Sequence, residues 1–202
     1  MQNMPKKLDL VITRVFDAPI EEVWKAWSDP EYVMRWWGPD FFTSPSAKMD
    51  FREGGTSLVC MRAPKNLGGR DMYSTWAYKR IVSLQSIEYI HNLADKDGNK
   101  ADPITLGMPP DFPKDQRNTV TFEIVGDNKT QMTVTEYDWT EGQMMELSKM
   151  GLEQCLNKMA AIFAKSQVHF SHRRRPCPTE SRPTENGAFV SGCSGGLAPT
   201  SS

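Results

Sequence analysis

Between Asp40 and Asp138 the chain is cut by turn chemistry into six short segments, and segments of that length leave the backbone little choice but strand. Gly-Gly, Asp-Gly and Gly-Asp-Asn turns punctuate residues 43–51, 56–63, 71–80, 84–92, 118–125 and 130–138. A seventh segment precedes them, where Leu8, Leu10, Ile12 and Phe16 alternate along Leu8 to Phe16 as in a half-buried strand. Two short helical patterns follow it. Pro19 suits a first helical position, and Glu21 and Glu22 complement the positive helix end. Ile20, Val23, Trp24 and Trp27 then recur on one helical face. Ser28-Asp29-Pro30-Glu31 restarts a second helix, ended by Gly38-Pro39. Thr140 and Gln143 have capping-box spacing and open a helix to about Ala164, striped by Met145, Leu152, Leu156, Met159 and Phe163. A sheet and a long helix with one apolar side each bury those sides together, so the expected fold is α+β, an antiparallel sheet of about seven strands wrapped around the C-terminal helix.

Composition changes near Lys165. From Ser166 to Ser202, 18 of 37 residues are Ser, Thr, Pro or Gly, and such a segment buries too little surface to offset its ordering entropy. The expected organisation is one domain over 5–165 and a disordered tail over 166–202, native or appended. The basic run His172 to Arg175 is read as part of that tail. The whole chain carries a net charge of −1, which argues against nucleic acid as a partner. No apolar run approaches the ~18 residues of a membrane span, and Met1 to Leu10 lacks a secretion-signal stretch, so the expected location is cytoplasmic. Cys60, Cys155, Cys177 and Cys193 form no CxxC pair, and neither a disulfide framework nor a zinc site is indicated. Asp95 to Lys100 has oxygen ligands at calcium-loop positions 1, 3 and 5, but Lys100 stands where the loop needs Gly and Leu106 where it needs Glu. It is read as a polar turn, and no metal or cofactor is expected.

Arg14-Val-Phe-Asp-Ala-Pro19 leads into Val23-Trp24-Lys-Ala-Trp27, and Asp29-Pro30 into Trp36-Trp37-Gly38-Pro39. Arg52-Glu53-Gly54-Gly55, Asp97-Gly98-Asn99, Leu106-Gly-Met-Pro109, Val120-Thr-Phe-Glu and Met132-Thr-Val-Thr continue the pattern over roughly 8–164. In this order and spacing the residues resemble the START-like (SRPBCC) superfamily, and in it the family homologous to the activator of the heat-shock protein 90 ATPase. The resemblance implies a helix-grip fold with an elongated apolar cavity between sheet and long helix. It implies a small hydrophobic ligand there or, from the nearer relatives, contact with a chaperone. Fold alone does not choose between them.

Strand parity then nominates side chains. Trp76 and Tyr78 share a parity with Met72 and Ser74; Ile87, Tyr89 and His91 share another face; Val120, Phe122, Ile124, Met132, Val134 and Glu136 read as inward. Inward aromatics with a few polar groups suit a small-molecule pocket or an ordinary filled core. Methionines near the helix stripe, such as Met145, suit an adaptable wall. The proline-rich connection Asp102 to Arg117 could be a lid, with Met108 or Phe112 as its gate. Adjacent Trp36 and Trp37 point apart on a short helix, one to the core and one toward the surface. The expected ligand-contacting set is Trp37, Trp76, Tyr78, Tyr89, His91, Met108, Phe112, Phe122, Glu136 and Met145. Three functional readings follow. The first is binding of a small hydrophobic or aromatic molecule. The second is a protein-interaction module, regulating a chaperone ATPase or self-associating as a homodimer, marked by an exposed apolar patch at Trp36 or Trp37 in place of an internal void. The third is a cofactor-free cyclase or dehydratase in which His91 or Glu136 moves a proton.

Overall fold

The computed structural model describes residues 6–171. Strand β1 (Lys7–Phe16) is followed by α1 (Ile20–Ser28) and α2 (Pro30–Trp36). Strands β2 (Thr43–Lys48), β3 (Thr56–Arg62), β4 (Asp71–Val82), β5 (Ser86–Ala94), β6 (Gln116–Gly126) and β7 (Lys129–Thr140) come next, and α3 (Gln143–Ser171) closes the described chain. The strands form one antiparallel sheet in the order β1-β7-β6-β5-β4-β3-β2. The two short helices carry the chain from one sheet edge to the other. The long helix lies against β1, β7 and α2. This is the sheet wrapped on a long helix that the apolar patterning predicts, and the helix-grip arrangement that the resemblance implies.

Local chemistry shifts several element boundaries. Pro19 sits at the N-cap of α1, in an extended conformation, one position before the expected one; its carbonyl accepts the N–H groups of Glu22 and Val23. Asp29 caps α2 by accepting the Glu31 N–H, with Pro30 at the first helical turn. The expected capping box at Thr140 is not formed. Thr140 is the last residue of β7, paired with Lys7, and its hydroxyl accepts the Lys7 ammonium at 2.8 Å. The helix starts at Gln143 instead, its first turn tied by the Glu146 N–H to Gly142 O. It continues through Ser171, six residues past Lys165. The remainder of the segment read as a tail, including His172 to Arg175, lies outside the described residues.

The core lies between the inner sheet face and the helices. Leu10, Ile12 and Phe16 of β1, Val120 and Phe122 of β6, and Met132 and Val134 of β7 are buried there. Leu152, Leu156, Met159 and Phe163 supply the expected stripe of α3, joined by Cys155 and Ile162, while Met145 is half-buried beside the core. Trp27, Trp36 and Trp76 are fully buried and touch one another, with ring centroids 4.9–6.3 Å apart. Ile124 departs from its expected inward position and is 68% exposed, because β6 runs past the core into the hairpin with β7.

Candidate functional site

The register of three central strands assembles an inward row that is polar where the core elsewhere is apolar. Trp76 of β4 pairs with His91 of β5, and His91 pairs with Gln116 of β6. Ser74 lies two residues along from Trp76 on the same face and is buried. Trp37, the C-cap of α2, closes over this row, with its ring 5.0 Å from that of Trp76 and 6.4 Å from that of His91. Contrary to expectation it does not point away from Trp36, whose ring it meets at 5.6 Å, because the chain leaves the helix at Trp37 in an extended conformation. The neighbouring pair, Tyr89 opposite Asn118 and Asn118 opposite Glu136, extends the polar surface to β7.

Hydrogen bonding divides these groups sharply. Among the tryptophans, Trp27 donates to Met132 Sδ, Trp36 to Ala26 O at 2.7 Å and Trp139 to Glu136 Oε2 at 2.9 Å. The indole N–H groups of Trp37 and Trp76 have no partner, although both are shielded from solvent. Ser74 Oγ, His91 Nε2 and Gln116 Oε1 share that condition. Buried polar atoms are nearly always paired, and each orphan costs ~1–3 kcal/mol, so five on one inner surface are a signal. Gln116 cannot relieve its own deficit by rotating its amide, since Nε2 donates to Tyr137 O and to Arg117 O.

Burial also sets the protonation states. The His91 imidazole is pushed down to about 4 because it is removed from water, so it is neutral at physiological pH. Burial likewise raises the Glu136 carboxyl above its ordinary range, partly offset by hydrogen bonds from the Trp139 indole and the Ser148 hydroxyl. Tyr89 is held well above its usual value by burial and by the nearby Glu136 charge. Tyr78 is raised too, and its hydroxyl exchanges a 3.0 Å hydrogen bond with Ser57.

Of the ten nominated residues, Trp37, Trp76, Tyr78, Tyr89, His91, Phe122 and Glu136 have contacts within the inner face. Phe122 packs on Trp24, with centroids 5.2 Å apart. Phe112 reaches the same region from the proline-rich loop: its ring lies edge-on to Trp139, 6.1 Å away, and Trp139 in turn holds Glu136. Met108 folds back within the loop, its N–H on Pro103 O. His91 and Glu136 are not brought together. They stand two strands apart and two residues out of step, about 12 Å between Cα positions from standard strand spacing. Sequence reading missed Gln116 because β6 was begun at Asn118, although the alternation Gln116, Asn118, Val120, Phe122 continues unbroken.

A second feature lies on the outside of the loop that begins at Trp37 and leads to β2. Phe41 has φ +68° and is 87% exposed. Its neighbour Asp40 is held to α3 by an N–H to Gln154 Oε1 at 3.1 Å, one helical turn from half-exposed Met150. Leu147 is exposed one turn earlier on α3. The Lys158 ammonium clamps the loop by donating to Gly38 O at 2.8 Å and Phe42 O at 3.1 Å.

The outer sheet face carries a groove of about 390 Å³ lined by Lys48, Thr56, Leu58, Thr75, Lys96, Asp97 and Gly98. These strand residues have the opposite parity to Trp76 and His91, so the groove is separate from the interior row. At its rim the Asp95 carboxylate is taken up by the turn itself, accepting the Asp97 and Asn99 N–H groups and the Asn99 amide.

The family model for activator of Hsp90 ATPase homolog 1-like proteins matches residues 17–164, most of the chain. The chain belongs to this family. Solved structures with the same helix-grip fold include a Mycobacterium smegmatis protein at 24% identity and TM-score 0.61, covering 77% of this chain and 90% of that one. An Arthrobacter aurescens protein matches at 24% identity and TM-score 0.63, over 84% and 93% of the two chains. The AHSA1 protein of Silicibacter pomeroyi matches at 19% identity and TM-score 0.62, over 79% and 99%. At these identities the likeness establishes the fold alone. No curated protein gives a significant match. Among the described residues of this activator-homologue domain, no helix is long and apolar enough to cross a membrane.

Proposed function

We propose that this domain acts as a protein-interaction module that docks through the surface around Phe41, its partner being an Hsp90-type chaperone ATPase or a second copy of the chain. The family description supports the first partner. The observation that carries the reading is Phe41 itself. A bulky residue at positive φ costs roughly 1–2 kcal/mol, and here the strain goes into presenting an aromatic ring to water. Met150 and Leu147 add exposed apolar side chains on α3, one and two turns before Gln154, the residue that holds the Asp40 N–H. The test measures the ATPase rate of an Hsp90-type chaperone with the full chain added, alongside the chain's own mass in solution. Stimulation or dimerisation that disappears in Phe41→Ala supports the reading; a monomer that leaves the chaperone rate unchanged overturns it.

A second reading, binding of a small molecule at the inner face, is favoured by the five orphan polar atoms around Trp76 and His91. Native mass spectrometry of the protein as purified from cells tests it, a stoichiometric adduct being the expected result.

A further inference from the structure

We infer that the row formed by Trp37, Ser74, Trp76, His91 and Gln116 recognises an uncharged, flat molecule carrying a hydrogen-bond acceptor and donor side by side, as in an amide, a lactam or a hydroxy-carbonyl compound. This rests on the small-molecule reading and names the class of ligand.

The chemistry of the orphan atoms dictates the class. An indole N–H can only donate, so Trp37 and Trp76 require an acceptor. Gln116 Oε1 can only accept, and its orientation is fixed because its nitrogen is engaged by two backbone carbonyls. Ser74 Oγ serves either way. A purely apolar occupant would leave all of these groups unpaired in a dry interior, at ~1–3 kcal/mol each. An anion would satisfy the indoles but meet Gln116 Oε1 as a second acceptor, and it would have to shed its hydration against neutral groups. Burial keeps the His91 imidazole uncharged at neutral pH, so it offers no counter-charge. The rings of Trp37 and Trp76 touch edge to face at 5.0 Å, so a planar molecule would stack on ring surface that this contact leaves free, not between the two rings.

The test uses three probes of nearly one shape and different polarity: benzamide, benzoate and toluene. The full chain, labelled with nitrogen-15, is titrated with each while the indole N–H signals of Trp37 and Trp76 are followed. Benzamide is expected to shift both signals and to bind at least ten-fold tighter than benzoate or toluene. Ser74→Ala, which removes an unpartnered hydroxyl with little change in volume, and Trp76→Phe should each weaken benzamide roughly five-fold, as for one lost hydrogen bond, and leave toluene unchanged. If toluene binds as well as benzamide, the small-molecule reading stands and the ligand class falls. If no probe moves either indole signal, both fall. If both variants bind benzamide like the unmodified chain, the row is not the recognition surface.

Discussion

Phe41 and His91 show how single residues carry free energy that their sequence neighbours do not explain. At Phe41 the left-handed backbone penalises any side chain with a β-carbon, while the exposed ring buries almost nothing in return. Phe41→Gly should therefore raise unfolding stability by about 0.5–1 kcal/mol, the relieved strain outweighing the extra entropy of glycine. Urea denaturation measures that gain, and the same variant should lose partner binding, a combination no purely structural residue produces. His91 gives a pH dependence. Its folded value of about 4 lies below the ordinary 6.5, so the unfolded chain binds the proton more readily. Its contribution is present in full above pH 6.5 and is lost as pH falls toward 4, a change on the order of 3 kcal/mol. Glu136 acts in the opposite sense, because a raised carboxyl contributes stability below its unfolded value that is lost as pH rises through the folded one. Melting temperatures measured between pH 7.5 and 4.5 should therefore carry a destabilising contribution from His91 on acidification, and His91→Phe should fall less, or rise more, over that range than the unmodified chain.

At the scale of elements, the junction between α3 and the loop after α2 depends on one ammonium. Lys158 is partly withdrawn from water, which lowers its pKa, yet it satisfies two carbonyls that no other described group reaches. Lys158→Met keeps the aliphatic stem and leaves Gly38 O and Phe42 O unpaired, which should cost about 1–3 kcal/mol. Hydrogen exchange should then accelerate at the amides of residues 37–42 rather than across the sheet, and uniform acceleration would show that the clamp is not local. A comparable link joins the proline-rich loop to the sheet, where Phe112 leans on Trp139 and Trp139 on Glu136. The elements themselves were legible from alternation and turn residues. The start of α3 was not, because Thr140 has both the spacing of a cap and the pairing of a strand residue, and the hydrogen bond from Lys7 settles it in favour of the strand.

For the whole molecule, the long helix is the element on which the core closes. Ending the chain after Gln154 would remove Leu156, Met159, Ile162 and Phe163 and should abolish cooperative unfolding. Ending it after Ser171 should leave the melting temperature within about 2 °C, by the same reasoning, since the buried stripe remains intact. Calorimetry of the two truncations separates the cases. The amino-acid sequence on its own determined most strands and helices, the packing of an antiparallel sheet on the long helix, and which residues share a strand face, such as Trp76 with Tyr78 and Tyr89 with His91, because each follows from periodicities of two and 3.6 read over a few residues; the helix-grip expectation came from the family resemblance of its motifs. Only the tertiary structure decided that His91 aligns with Gln116 and stands apart from Glu136, that Trp27 and Trp36 find partners for their N–H groups while Trp37 and Trp76 do not, and that Phe41 is strained outward. Those outcomes depend on register between strands and on groups more than a hundred residues apart, as Trp27 is from Met132 and Lys158 from Gly38, and no local pattern encodes such pairings.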